Sequence, residues 1–178
     1  EFTDMERIGA RLWKRIMRNL FLRLFYRRVD HFCPIGRDAV DHLTLRGISP
    51  ERMTVTPSSV DIDLINSQRR LWSRERARKE LGLKKDQILF LSSGKLIPRK
   101  QPQLFASAAL NFANDKSVAV GWLGSGELFK SVQNMLKPAY QNRALLPGFV
   151  NQSEMGKFFA AADVFVLPTA YDTWGLVV

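Results

Sequence analysis

Cysteine and histidine are scarce in this sequence, which contains one cysteine, Cys33, and two histidines, His31 and His42. A single cysteine excludes an intramolecular disulfide and a metal site built from cysteines alone, and a reducing cytoplasmic setting is the simplest interpretation. Two histidines, both before residue 43, also leave too few partners for a zinc site or a Ser-His-Asp triad. We therefore expect no bound metal.

Long apolar runs are also missing. Spanning a bilayer takes about 20 apolar residues, and even the run from Phe158 to Leu167 is interrupted by Asp163. We therefore expect a protein that is soluble or peripheral to a membrane.

Acidic residues are outnumbered, with 17 Asp and Glu against 27 Lys and Arg and a net charge of +10. Such an excess predicts an acidic partner, but charge alone does not choose among phosphate, nucleic acid and anionic lipid.

The 178 residues suffice for one complete domain and a remnant, at about 150 residues per domain. Hydrophobic residues make up 46% and charged residues 25%, a balance that excludes disordered and collagen-like classes. The sequence begins at Glu1 rather than at a methionine and ends at Val178 within an apolar run. We therefore expect a segment that is truncated at both ends.

Residues 7–28 carry eight basic residues and no acidic one, with apolar residues recurring every three or four positions. This spacing predicts an amphipathic helix. Its apolar face is expected either to lie on an anionic membrane or to pack against a further domain. A DNA-recognition helix is a third interpretation, but no second short helix is placed to form a helix-turn-helix.

The rest of the sequence divides into two parts. Before residue 62 we expect strands over 29–34 and 53–57 and a helix over 37–46 that ends at Gly47. The basic stretch 66–78 is expected to be a linker that runs into a helix capped by Ser73 and ended by Gly82. From residue 87 strands alternate with helices; the predicted strands are 88–92, 118–123, 144–146 and 164–167, and the predicted helices are 103–112, 127–136 and 153–162, the last capped by Ser153.

This alternation predicts an α/β fold with a doubly wound, parallel, Rossmann-like sheet. With strand order 3-2-1-4, a ligand crevice opens between strands 1 and 4 at their carboxyl ends. Two loops, residues 92–100 and 168–175, are then expected to lie side by side. Lys95 and Lys100 in the first loop are suited to one anion, although a lysine-rich loop is more often a solvated surface. The second loop precedes an apparent helix start, where free amides favour phosphate; Asp172 is there either an N-cap or a partner for hydroxyl groups.

Other cofactor motifs are missing. Gly124-x-Gly126 follows the second strand, not the first, and lacks the third glycine of a dinucleotide fingerprint, which disfavours hydride transfer. No Walker A motif occurs. Trp122 and Phe149 are expected to be core or crevice-wall residues rather than base-stacking platforms.

Seven motifs in order resemble the C-terminal, donor-binding half of a family-four GT-B retaining glycosyltransferase (glycosyl transferases group 1). The resemblance extends from about residue 29 nearly to the end. The motifs are residues 35–48, 53–61, 93–100, 121–126, 148–150, 160–169 and 171–178.

The resemblance implies a metal-free, retaining transferase that moves a sugar from a nucleotide-diphosphate sugar to an acceptor in polysaccharide or glycolipid biosynthesis. Lys95 and Lys100 would hold the donor diphosphate, and Asp172 would hold sugar hydroxyls as the first acid of an acid-x7-acid motif whose second acid lies two residues beyond Val178. Asp172 stands where glutamate is commoner. Backbone groups near Gly148 and Phe149 would hold the base, and amides near Gly175 and Leu176 would face the phosphates. The implied substrate-binding set is Gly94, Gly124, Gly126, Gly148, Phe149, Thr173, Trp174, Gly175 and Leu176.

The implied domain organisation has three parts. Residues 1–62 would be the tail and hinge of an N-terminal acceptor domain, 63–85 a linker and helix, and 86–178 an incomplete nucleotide-sugar-binding domain. We expect such a segment to bind donor without turnover, and its sheet to expose one lateral edge.

The partner is expected to be a nucleotide sugar, with no nucleic acid and no cofactor. Cytoplasmic location, peripheral at the inner face of the membrane, agrees with the basic helix. The main alternative is a basic membrane- or nucleic-acid-binding module without catalysis. An epimerase is disfavoured because acids and histidines are missing from the crevice, and a phosphorylase because no cofactor lysine is found.

Overall fold

The computed structural model describes residues 12–170 and residue 172. The chain forms two compact units that divide between Ser59 and Val60, and each is described by itself. The assignment of residues 1–62 to the tail and hinge of an acceptor domain stays a prediction.

The first unit contains two helices and a short parallel contact. Helix α1 spans Leu12–Tyr26 and helix α2 spans Arg37–Thr44. The strands predicted over 29–34 and 53–57 are reduced to one bridge between Phe32 and Met53, although the Thr56 amide also donates to the Pro34 carbonyl at 2.9 Å. A small core holds this unit together; it consists of Leu22, Tyr26, Leu43 and Ile48, with Phe32 and Met53 against it.

The second unit opens with two helices where a linker running into one helix was expected. Helix α3 spans Ile62–Leu71 and helix α4 spans Arg74–Glu80, so the linker prediction is wrong over residues 66–71. The Asp61 carboxylate caps α3 by accepting from the Leu64 amide at 2.9 Å, and α3 then packs on a later helix. The predicted cap of α4 is confirmed, because the Ser73 side chain accepts from the Arg76 amide.

Four parallel strands form the sheet of this unit. They are β1 (Ile88–Ser93), β2 (Val118–Leu123), β3 (Ala144–Gly148) and β4 (Val164–Phe165). Their order is β3-β2-β1-β4, which confirms the α/β, parallel, Rossmann-like fold predicted from the sequence. Strand β4 is shorter than predicted and pairs with β1 over two positions, and within the described residues it is the edge strand on that side.

Helices cover both faces of the sheet. Helices α5 (Pro102–Leu110) and α6 (Phe129–Tyr140) pack on the face that carries Val120 and Trp122. Helices α4 and α7 (Gln152–Ala161) pack on the opposite face, which carries Leu89 and Leu91. The alternation of side chains along each strand divides these residues between two cores.

Several helix boundaries differ from expectation: α2 ends at Thr44 rather than at residue 46, α5 spans Pro102–Leu110 rather than 103–112, and α6 begins at Phe129 rather than at residue 127. Helix α7 is capped by Asn151 rather than Ser153, because the Asn151 side-chain oxygen accepts from the Ser153 amide at 3.1 Å. Helix α6 continues past Leu136 to Tyr140, whose buried ring packs in the core and whose hydroxyl donates to the Ala109 carbonyl. Among the described residues, no helix is both long enough and apolar enough to cross a membrane.

Candidate functional site

The loop after β1 is held at the carboxyl edge of the sheet by Leu96. The Leu96 side chain is fully buried, and its amide donates to the Ser125 carbonyl at 3.0 Å. A 3-10 turn over Pro98–Lys100 follows, in which Pro98 presets the backbone and the Lys100 amide donates to the Ile97 carbonyl. One buried anchor therefore fixes a loop in which Lys95 precedes the turn and Lys100 ends it.

Glycines allow this loop to lie directly against the loop after β2. The Gly124 backbone has φ +141°, and a Cβ there would lie 2.1 Å from the Gly94 carbonyl oxygen. At Gly126, with φ +159°, a Cβ would lie 2.4 Å from the Leu96 carbonyl oxygen. Both positions therefore require glycine for conformation and for space.

Hydrogen bonds join the ends of three neighbouring strands in this region. The Gly94 amide donates to the Leu123 carbonyl at 2.9 Å, and the Gly124 amide donates to the Gly148 carbonyl at 2.7 Å. The Trp122 indole, buried in the core, donates to the Gly94 carbonyl at 2.9 Å. Four of the predicted substrate-binding or wall residues thus form one connected edge.

The loop after β4 meets the loop after β1, as the strand order requires. The Arg99 carbonyl accepts from the Ala170 amide at 3.0 Å and from the Thr169 hydroxyl at 3.2 Å. Two residues further on, the Asp172 carboxylate forms an ion pair with the Lys100 ammonium group. The two loops that were expected to lie side by side are therefore in direct contact.

Lys100, Asp172 and Gly94 converge on one spot. The Lys100 side chain passes close to Gly94, where a Cβ would lie 4.0 Å from Lys100 Cε. The side chains of Lys100 and Asp172 are 13% and 21% exposed, so the ion pair is largely shielded from water. Lys95 is exposed in the same loop. The loops after β1 and β4 thus present ammonium groups together with the Asp172 carboxylate, a combination that suits an anion bonded to a hydroxyl-bearing group.

The remaining predicted site residues are placed as follows. Gly148 ends β3, and Phe149 beside it is 77% exposed, so Phe149 is not a core residue and its place in the crevice wall stays a prediction, whereas the core position of Trp122 is confirmed. Phe149 directly follows Gly148, the last residue of β3. Four predicted residues lie outside the described part of the chain; these are Thr173, Trp174, Gly175 and Leu176.

Sequence reasoning missed the groups that hold the site together. Leu96, Thr169 and the Arg99 carbonyl were not singled out, because their roles depend on contacts between distant segments. Leu96 had one weak local signal, since Leu96 and Ile97 are the two large apolar residues in the loop over residues 92–100. Among the described residues, no cluster of three or more His, Cys, Asp or Glu side chains could hold a metal ion.

Comparison with known proteins adds a sequence relationship. The sequence model of the family described as Glycosyl transferases group 1 matches residues 73–178. The chain is 31% identical over 142 residues to the UDP-Gal:alpha-D-GlcNAc-diphosphoundecaprenol alpha-1,3-galactosyltransferase of Escherichia coli, a match that covers 74% of this chain and 34% of the relative. It is 25% identical over 150 residues to the alpha-galactosylglucosyldiacylglycerol synthase of Streptococcus pneumoniae, covering 82% of this chain and 39% of the relative. The chain thus spans well under half the length of these curated relatives.

Solved structures share the fold at lower identity. WaaG, a glycosyltransferase involved in lipopolysaccharide biosynthesis, superposes with a TM-score of 0.66 at 19% identity, covering 98% of this chain and 49% of WaaG. Anabaena Alr3699/HepE, solved in complex with UDP and glucose, has a TM-score of 0.54 at 16% identity, covering 76% of this chain and 37% of HepE. Because the family's sequence model matches more than half of this chain, the chain belongs to the Glycosyl transferases group 1 family.

Proposed function

We propose that this chain binds a nucleoside-diphosphate sugar at the carboxyl edge of its sheet, and that the whole protein transfers the sugar with retention of configuration. The observation that carries the proposal is the contact between the loops after β1 and β4, which places Lys100 against Asp172. Family membership supplies the reaction class. Because the chain spans a limited part of its relatives, donor binding is the activity proposed for the chain itself.

The lysines are proposed to hold the diphosphate. An ammonium group is a compact charge that binds phosphate, and Lys100 lies beside Gly94, where a side chain is absent and a phosphate can approach the backbone. Negative charge grows on the leaving nucleoside diphosphate during transfer, and fixed cations stabilise that charge without reorganising. In the proposed mechanism the two lysines stabilise the charge of the leaving diphosphate without a metal ion.

Asp172 is proposed to accept hydrogen bonds from sugar hydroxyls, and Gly148 and Phe149 to border the base. The E. coli relative uses UDP-Gal by its name, and HepE was solved with UDP and glucose. We therefore propose a uridine nucleotide as the donor carrier. Both curated relatives and WaaG are named for lipid-linked or lipopolysaccharide products, which supports an acceptor of polysaccharide or glycolipid biosynthesis at the cytoplasmic face of a membrane.

Replacing Lys95 or Lys100 by Ala is expected to weaken UDP binding by about 1–3 kcal/mol, the range of a charge-assisted contact. Isothermal titration calorimetry of UDP against the 178-residue chain measures the change. Lys137→Ala is the matched control, because Lys137 is exposed on α6 and its replacement also removes one positive charge. Equal affinity in the wild type and in both loop variants would exclude this site.

We also propose that α1 binds an anionic membrane surface. The described part of α1 exposes seven large apolar side chains: Trp13, Ile16, Met17, Leu20, Phe21, Leu24 and Phe25. The same segment carries arginines and no acid, and apolar residues inserted between headgroups with arginines at the phosphates stabilise such a helix on a membrane.

Phe21→Glu is expected to reduce binding to vesicles that contain phosphatidylglycerol by about tenfold or more, since burying a Phe side chain contributes about 1.5–3 kcal/mol. Phe21 is 65% exposed, so the substitution leaves the core of the first unit intact. Leu45→Glu, at an exposed residue just beyond α2, is the control for the charge change. Sedimentation with the vesicles measures binding. Equal affinity of Phe21→Glu and Leu45→Glu for the phosphatidylglycerol vesicles would contradict a membrane role for α1. Equal affinity of the wild type for neutral phosphatidylcholine vesicles would contradict it as well.

A further inference from the structure

We propose that Asp172 is a specificity-determining residue that makes the site favour a sugar-bearing diphosphate over the bare nucleoside diphosphate. This inference rests on the donor site proposed above. Its starting point is that Asp172 already holds the cation that the diphosphate needs: the Lys100 ammonium group is paired with the Asp172 carboxylate in the ligand-free chain.

The Lys100–Asp172 pair is sheltered enough for its charges to matter. Exposed ion pairs contribute little because water screens them, whereas these two side chains are 13% and 21% exposed. A diphosphate that binds Lys100 therefore has to share its cation with a carboxylate or displace that carboxylate. Either way, two anions meet at one ammonium group.

The segment that leads to Asp172 is fastened beside the segment that carries Lys100. Ala170, two residues before Asp172, is tied by its amide to the Arg99 carbonyl, and Thr169 is tied to the same carbonyl by its hydroxyl. Arg99 and Lys100 are adjacent, so the segment that carries Asp172 is fastened next to the segment that carries Lys100. A bare diphosphate at Lys100 therefore either shares the ammonium group with a carboxylate that repels it or displaces the carboxylate and breaks the ion pair. Both weaken its binding.

A sugar on the diphosphate removes this penalty. Its hydroxyl groups donate hydrogen bonds to the carboxylate and replace the partner that Asp172 gives up. The bare nucleoside diphosphate has no such donors at that position. Before transfer, the ligand donates sugar hydroxyl hydrogen bonds to the Asp172 carboxylate; after transfer, the remaining nucleoside diphosphate has none to donate there. Asp172 then pairs with Lys100 again as the nucleotide leaves.

The test compares UDP with UDP-galactose and UDP-glucose by calorimetry in the 178-residue chain. Asp172→Asn removes the charge and keeps the shape, so we expect UDP to bind about tenfold more tightly than in the wild type. The sugar nucleotides lose their charged acceptor, and the preference for them over UDP is expected to fall by about tenfold. Asp172→Glu keeps the charge and is expected to leave the affinity for UDP near that of the wild type.

A double-mutant cycle tests whether Asp172 affects UDP binding through Lys100. If Asp172 acts through Lys100, Asp172→Asn gains little UDP affinity in the Lys100→Ala background. Unchanged or weaker UDP binding in Asp172→Asn overturns the proposal, and so does an equal gain in both backgrounds or the same gain in Asp172→Glu. Failure of the donor site itself is a different result: the wild type then binds none of the three nucleotides, or binds them with no loss in Lys95→Ala and Lys100→Ala. Circular dichroism melts establish that each variant is folded.

Discussion

Replacing Arg78 by Ala is expected to lower the free energy of unfolding by about 3–5 kcal/mol. The Arg78 side chain is buried, and it donates to the Ala161 carbonyl at 2.9 Å and to the Lys84 carbonyl at 2.7 Å. It also donates to the Gln87 carbonyl and to the Asp163 carboxylate. Truncation removes a donor from all four acceptors. The Ala161 and Gln87 carbonyls lose it in buried surroundings, and Asp163 keeps only the Leu89 amide and Arg74.

The position of these acceptors explains why one side chain matters so much. Gln87 immediately precedes β1, Ala161 ends α7, and Asp163 immediately precedes β4, so Arg78 on α4 joins the amino ends of two paired strands. Urea unfolding followed by tryptophan fluorescence measures the loss. Arg70→Ala, at an exposed position on α3, is the control and is expected to change stability by less than about 0.5 kcal/mol. A similar small change in Arg78→Ala would contradict this role.

The same cluster gives the stability a dependence on pH. Partial burial opposes ionisation of Asp163, but the Leu89 amide and the guanidinium groups of Arg74 and Arg78 outweigh it and hold the pKa of Asp163 below its ordinary value. The stabilisation is therefore complete above the unfolded-state pKa and is lost as pH falls through the lower folded-state pKa. Asp163→Asn is expected to be less stable than the wild type at neutral pH, with the difference shrinking at acidic pH. A difference that stays constant with pH would contradict this assignment.

Replacing Gly124 by Ala is expected to abolish measurable UDP binding and to lower the free energy of unfolding by about 3 kcal/mol or more. The new Cβ would lie 2.1 Å from the Gly94 carbonyl oxygen, and the φ of +141° is itself strained for any residue with a side chain. The obstructing atom is backbone, so relief requires the loop after β1 to move away. That loop carries both lysines of the proposed donor site.

A matched glycine separates strain from crowding. Gly82 also has a positive φ, +70°, but no atom lies within 4 Å of a Cβ built there. Gly82→Ala is therefore expected to cost only about 1–2 kcal/mol of stability and to leave UDP affinity unchanged. Chemical unfolding and calorimetry of the two variants measure both quantities. If Gly124→Ala binds UDP as the wild type does, the proposed site is not at this edge.

The fold could be predicted because the sequence pattern of each strand and helix is local. Apolar strands alternate with amphipathic segments from Ile88 onward, and right-handed connections between parallel strands leave few topologies. The strand order β3-β2-β1-β4 follows, and with it the meeting of the loops after β1 and β4. The family resemblance pointed to the same two loops.

The errors arose where a distant contact decides the local structure. Residues 66–71 are too polar to indicate a buried helix face, and α3 forms through the Asp61 cap and its packing on α7. At α7, Asn151 and Ser153 are both good capping residues, and sequence alone does not rank them. Lys100 and Asp172 are 72 positions apart in the sequence. Only the structure shows that their side chains form an ion pair.

The most direct test of the account is a crystal structure of the 178-residue chain with UDP bound. We expect the diphosphate to lie between the loops after β1 and β4, with one of its oxygens about 2.7–3.2 Å from Lys100 Nζ. The Asp172 carboxylate is expected to have separated from Lys100 in that structure. A nucleotide bound at any other face of the sheet, with the Lys100–Asp172 pair intact, would contradict the central claim that these two loops form the donor site.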